Sequence, residues 1–215
     1  MRNPKQDGSN VYDCVPQTGK CPVKCNQCYF NRGYYRETPF VDDDIPEDGI
    51  VRMNCGHDSN IDKEAVLEAA KKYKHVFFNT SIPKFNFPGP VVFTANAKEE
   101  EYPWMPHDPP KNIMAVRLRV SMSNLYLVRK AIEAWTKHVP VILTFMAYYD
   151  QEPFLPGAYE WKVRHINSYW CVTHETILLV MEQYVDNDRV LLCDGLCRDC
   201  GNCERLYLEH INASC

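Results

Sequence analysis

Residues 49–80 read GIVRMNCGHDSNIDKEAVLEAAKKYKHVFFNT, and the change of rhythm within them decides the fold. Residues 49–60 begin as an apolar strand and end in a polar turn containing Gly56. A helix is predicted over 62–73. Val66, Leu67, Ala70 and Tyr73 recur with a helical period, and Asp62 and Glu64 suit the positive N-terminal end of a helix. Ser59 or Asn60 is placed to cap it. HVFFNT at 75–80 returns as a strand by its aromatic and β-branched content. Strand, helix, strand at this spacing is one unit of a mostly parallel sheet with a right-handed crossover.

Outward from this unit the alternation continues. A first strand is expected over 10–15 and another over 90–96 (PVVFTAN), whereas residues 97–110 carry five Pro or Trp residues and predict no regular element. Residues 112–121 form a strand, and 123–137 a helix with Leu125, Val128, Ile132 and Trp135 on one face. PVILTFMA at 140–147 has the continuous apolar character of a strand buried on both sides. After a Pro-containing excursion at 151–156, a strand over 166–172 and a helix over 175–184 complete the pattern. The expected class is α/β. A partial, open β/α barrel fits better than a closed one, for which ~250 residues is typical. It occupies residues 1–190, and residues 191–215 form a C-terminal four-cysteine segment.

Composition narrows the function. The 215 residues are 45% hydrophobic and 24% charged, as in one folded core, and a net charge of −4 argues against a general electrostatic grip on nucleic acid. The first ten residues lack the apolar stretch of a signal peptide. No uncharged run approaches the roughly 18 apolar residues of a membrane helix. The expectation is a soluble, cytoplasmic protein with no membrane partner.

Eleven cysteines are the unusual feature, and seven of them fall into two tight groups. Disulfides rarely persist in a reducing compartment, so clustered thiols point to metal rather than to a disulfide framework. In the first group, TGKCPVKCNQCY at 18–29, Cys21, Cys25 and Cys28 have the spacing C-x3-C-x2-C. Gly19 and Pro22 keep the segment out of a helix. Three thiolates on such a loop reach three corners of one cubane cluster and leave a fourth iron open. A zinc knuckle completed by a remote ligand is the alternative. In the second group, LCDGLCRDCGNCERL at 192–206, Cys193, Cys197, Cys200 and Cys203 make a complete four-thiolate set. It suits a second [4Fe–4S] cluster or a structural zinc. Cys14, Cys55 and Cys171 read as ordinary buried thiols.

The early C-x3-C-x2-C loop ahead of strand–helix units resembles the radical SAM superfamily. With the glycine-containing turn after the second strand, FTAN in a later strand and the C-x2-C-G-x-C segment, the chain resembles small radical SAM-like proteins encoded by phages. The resemblance implies a [4Fe–4S] cluster on Cys21, Cys25 and Cys28, with S-adenosylmethionine chelating the open iron. It implies reductive cleavage to a 5′-deoxyadenosyl radical that abstracts hydrogen from an unknown substrate, and an external electron donor such as flavodoxin or ferredoxin. By position, Gly56 and Asp58 receive the cofactor's methionyl group, with Asn54 and His57 as neighbours and Tyr29 beside the loop. Asp58 is cast as the acceptor for its ammonium. Arg119 and Ser121, at a later strand end, are further candidates for cofactor contacts. Arg117 and Arg119 alternate with Val116, Leu118 and Val120, and so share one side of their strand. That side is either the barrel interior, where a guanidinium needs an anionic partner, or the exposed face of an edge strand. Two rival readings carry metal without radical chemistry: a non-catalytic zinc-binding interaction module, and an iron–sulfur electron carrier.

Overall fold

The computed structural model describes residues 6–28, 30, 38–105, 107–149, 153, 155, 157–164, 168–193 and 197–214. Along the chain the strands are β1 (Val11–Val15), β2 (Phe40–Val41), β3 (Ile50–Met53), β4 (His75–Thr80), β5 (Val91–Thr94), β6 (Ile113–Val120), β7 (Val141–Phe145), β8 (Ala147–Tyr148), β9 (Tyr159–Lys162), β10 (Tyr169–Val172) and β11 (Val190–Leu192). The helices are α1 (Lys63–Ala70), α2 (Leu125–Trp135), α3 (His174–Glu182), α4 (Cys197–Cys200) and α5 (Asn202–Ser214).

Eight strands form one sheet in the order β2-β1-β3-β4-β5-β6-β7-β11. Every pair in it is parallel except β1 with β2. Because the parallel strands follow chain order, each crossover steps the same way, and right-handed crossovers then place their helices on one face. On that face Val51, Met53 and Phe78 meet Val66 and Ala70 of α1. Further along it, Val116, Leu118 and Val120 meet Val128, Ile132 and Trp135 of α2. The alternate residues Val11, Ile50, Phe77, Val92, Ala115 and Ile142 point to the other face, which Leu206 and Tyr207 of α5 cover.

The α/β class and the mostly parallel sheet agree with the sequence pattern, and each strand and helix expected before residue 150 is found within a few residues of its place. Among the described residues, neither the β4–β5 nor the β5–β6 crossover carries a helix. Residues 81–90 hold Pro83, Pro88 and Pro90, and residues 97–110 hold four more prolines, so neither stretch can sustain helical hydrogen bonding. Their aromatic side chains cover the sheet instead: Phe85 and Trp104 pack on Phe93, with ring centroids 5.0 and 5.3 Å away, and Trp104 also meets Trp135.

Several expectations need correction. The strand at 166–172, whose residues 166–167 lie outside the described residues, is β10. It joins no parallel unit but pairs antiparallel with β8 and β9 in a separate three-stranded sheet. Neither Ser59 nor Asn60 caps α1; Asp62 occupies the N-cap with a left-handed backbone and no side-chain bond. Residues 190–192 and 202–214, at and beyond the expected boundary, supply an edge strand and a helix to the same core. Among the described residues no helix is long and apolar enough to cross a membrane.

Candidate metal centre

The loop after β1 carries Cys21, Cys25 and Cys28, and positive φ at Gly19, Lys24 and Gln27 turns it back on itself. Burial pushes the Cys21 thiol up to about 11, reinforced by the nearby charges of Asp58, Cys25 and Cys28. Cys25 is raised by burial and opposed by the Arg119 guanidinium, with Cys28 and Asp58 adding to the rise. The three thiols, Asp58 and Arg119 therefore share one neighbourhood at the carboxyl ends of the strands.

Four ties hold this loop against the body. Gln17 donates to the carbonyls of Asp58 (3.2 Å) and Ile61 (2.7 Å) and accepts from Asn54 Nδ2 (2.7 Å). Arg119 donates to the carbonyls of Asn26 and Ala97. Gln27 Oε1 accepts from the Tyr149 N–H at 3.1 Å. Phe30, fully buried, lies so close to Gly56 that a Cβ there would stand 2.1 Å from its ring. Sequence reading missed Gln17 and Gln27, whose roles depend on partners 37 to 122 residues away.

The turn after β3 is where the sequence placed the cofactor's methionyl group. Its buried Asp58 is occupied on both oxygens: Oδ1 accepts from Asn60 N–H (2.9 Å) and Thr80 Oγ1 (2.8 Å), Oδ2 from Ser81 N–H (2.6 Å) and Oγ (2.8 Å). A carboxylate offers about four acceptor positions, so this one is spent on joining the turn to the end of β4. Asn54, with φ of +64°, accepts from Ser59 Oγ on its side chain and from Asn79 Nδ2 on its carbonyl. His57 meets Phe30 edge-on, its Nδ1 is buried without a partner, and burial lowers its pKa. Tyr29 lies outside the described residues. Ser121 is fully buried, its N–H donating to Asn124 Oδ1 and its hydroxyl paired with Ser123. It supports the end of β6 rather than facing open space.

Strand ends also carry polar atoms with nothing to bond. Among the described residues, His57 Nδ1, Asn79 Oδ1, Glu99 Oε2 and Thr144 Oγ1 are buried and unpartnered, at or just beyond the carboxyl ends of β3, β4, β5 and β7. Glu99 went unnoticed in the sequence; its other oxygen accepts from Tyr148 OH at 2.7 Å. Such atoms are rare in folded proteins, and an ordered water, an ion or a ligand is among the partners that complete their bonding.

The second cysteine group also comes together. Cys193 follows β11, Cys197 and Cys200 are the first and last residues of α4, and Cys203 lies in α5. A hydrogen bond with Cys193, then burial, raises the Cys200 thiol. Burial raises Cys197, against the opposing Arg52 guanidinium and with added repulsion from Cys203 and Cys193. Beneath them Arg52 is clamped to the fully buried Asp13 by bonds of 2.7 and 3.2 Å, and Cys55 joins the same carboxylate.

Among the described residues no three Cys, His, Asp or Glu side chains converge as a single-ion site. Thiolates are the donors a sulfur-ligated cluster takes, and such a cluster spreads them around several irons rather than on one ion. Cys21, Cys25 and Cys28 would hold one such group, and the four tail thiols another. No family model, curated protein or solved structure was found to match this chain.

Proposed function

We propose that this protein is a radical SAM-type enzyme built on a partial, open β/α barrel. One observation carries the reading: the thiols of Cys21, Cys25 and Cys28 share a single neighbourhood with Arg119 at the carboxyl ends of parallel strands laid down in chain order. Ligands of α/β sheets bind at that edge. The barrel-like curl is supported by the span of α5. Seven flat strands would extend about 29 Å at ~4.8 Å per strand. From Cys203 to Ile211 the helix covers only about 12 Å. Side chains from β1 through β11 nevertheless share one core with that stretch.

When bound, a [4Fe–4S] cluster and S-adenosylmethionine supply reductive C–S cleavage and a 5′-deoxyadenosyl radical for hydrogen abstraction. The chain's own residues bind, orient and exclude water. Cys21, Cys25 and Cys28 would hold the cluster through their thiolates. Arg119 fixes the loop through the Asn26 carbonyl and brings positive charge to Cys25. Phe30, packed on Gly56 and His57, closes the inner side of the loop. With Asp58 committed to the turn, Glu99 Oε2 is an unfilled acceptor just beyond the end of β5, suited to the donors of an ammonium or ribose. The four tail thiols, backed by Arg52, make a structural or electron-relaying centre with no open position. An external one-electron donor in a reducing cytoplasm completes the scheme.

Anaerobic reconstitution tests the reading. About four irons per chain should depend on Cys21, Cys25 and Cys28 and vanish when all three become Ala. Reduced wild type should cleave S-adenosylmethionine to 5′-deoxyadenosine, read by chromatography. Iron retained in the triple variant would remove the cluster from this loop. Zinc in place of iron, with no cofactor cleavage, would favour the interaction module.

A further inference from the structure

Arg117 lies in β6 between Thr94 of β5 and Ile142 of β7. Its neighbours Val116 and Leu118 sit in the α2 core, so its side chain leaves from the face that α5 covers. It is half-buried, and among the described residues no hydrogen bond or ion pair holds it. The two other arginines that alternation sends to this face are committed, Arg52 to Asp13 and Arg119 to two carbonyls.

Two unpartnered atoms belong to the same face. Thr144 is in register with Arg119, two residues beyond Ile142, and its Oγ1 is buried and unbonded. Asn79 follows Phe77 by two residues, is 6% exposed, and keeps Oδ1 without a donor. Beyond Thr144 the chain of β11 runs into Cys193, whose N–H donates to the Leu143 carbonyl at 2.9 Å. A guanidinium fork and a hydroxyl hydrogen together recognise an oxyanion, and an amide oxygen accepts from a donor on the same molecule.

We propose that Arg117 and Thr144, with Asn79 on the same face of the sheet, receive the substrate through an oxyanion, a carboxylate or phosphate, lying between the two cysteine centres. The cofactor's own carboxylate belongs nearer the loop. Arg119 reaches the Asn26 carbonyl, and Arg117 stands two residues, about 6.6 Å, further down the strand. The inference rests on the radical-enzyme reading for calling this molecule the substrate; the anion site stands on Arg117 and Thr144 alone.

The test is the thermal midpoint of reconstituted protein titrated with inorganic phosphate and, separately, acetate, at fixed pH and with chloride keeping ionic strength constant. A saturable rise above the chloride control is expected, and whichever anion gives it names the substrate group. Half-saturation should weaken about tenfold or more in Arg117→Gln, the scale of one lost charged contact, and less in Arg117→Lys and Thr144→Val. Iron content and the cofactor-induced change in the electron paramagnetic resonance spectrum should stay at wild-type level in Arg117→Gln. The absence of a saturable rise in wild type, or an equal rise in Arg117→Gln, overturns the proposal. Loss of the cofactor response in an iron-loaded Arg117→Gln protein also overturns it, since Arg117 would then serve S-adenosylmethionine. Wild type that loads no iron, or shows no cofactor response, sinks the radical reading alone, because the anion titration is read independently.

Discussion

Gly56 is the tightest point between the cysteine loop and the sheet. A methyl group there would stand 2.1 Å from the Phe30 ring, so one of the two must move. Gly56→Ala should cost about 1–3 kcal/mol, the scale of overpacking in a core, and lower the iron retained after reconstitution; urea unfolding and iron analysis read the two effects. His57 supplies a pH dependence. Burial of the ring lowers its pKa below the ordinary 6.5, so the unfolded chain takes up a proton at a pH where the folded one still refuses it. The neutral ring's contribution is present above the unfolded value and is lost as pH falls from there through the folded value. His57→Asn, which tolerates the left-handed backbone at this position, should lose less stability than wild type below about pH 6.5, measured by urea unfolding across that range. The position of this turn was legible in NCGHDSN, because glycine and short polar residues after an apolar strand stop it. Its bonding was not. Whether Asp58 faces a ligand or the end of β4 depends on Thr80 and Ser81, and no local pattern says where they lie.

At the scale of elements, α5 was the least visible. The cysteines at 193–203 dominate the reading of that stretch, while its apolar residues, chiefly Leu206, Tyr207, Leu208 and Ile211, are few and show no clear helical face, Leu208 being exposed. Only the waiting face of the sheet turns Leu206, Tyr207 and Ile211 into a buried stripe. Leu206, 2% exposed, should therefore behave as a core residue. Leu206→Ala is expected to destabilise by about 2–5 kcal/mol, read as a lower urea midpoint with unchanged slope. A near-neutral result would mean that α5 is only loosely docked. β11 was missed for a related reason: three residues carry too little pattern, and its strand character comes from pairing with β7. By contrast α2 was plain, since Val128, Ile132 and Trp135 repeat on one face and all three are buried.

Across the whole molecule, the parallel sheet was legible because buried strands and amphipathic helices carry different periods. Its completion was not. The antiparallel sheet β8-β10-β9 interrupts the series, and two crossovers replace a helix with aromatic loops. The placement of α5 has a further consequence for how the chain reaches this state. A hydrogen bond from the Asn10 N–H to Glu204 Oε2, at 3.3 Å, joins positions 194 residues apart, beside the start of β1. During synthesis β1 through β7 emerge well before residue 206. Until then Val11, Ile50, Phe77, Val92, Ala115 and Ile142 have no cover on their side of the sheet. Contacts of such long sequence separation form late, after most of the loop-closure entropy has been spent. The nascent protein should therefore pass through a sticky, half-covered stage that ends only when α5 docks. The same docking brings Cys203 onto that face, so completion of the fold and assembly of the tail thiols are one event.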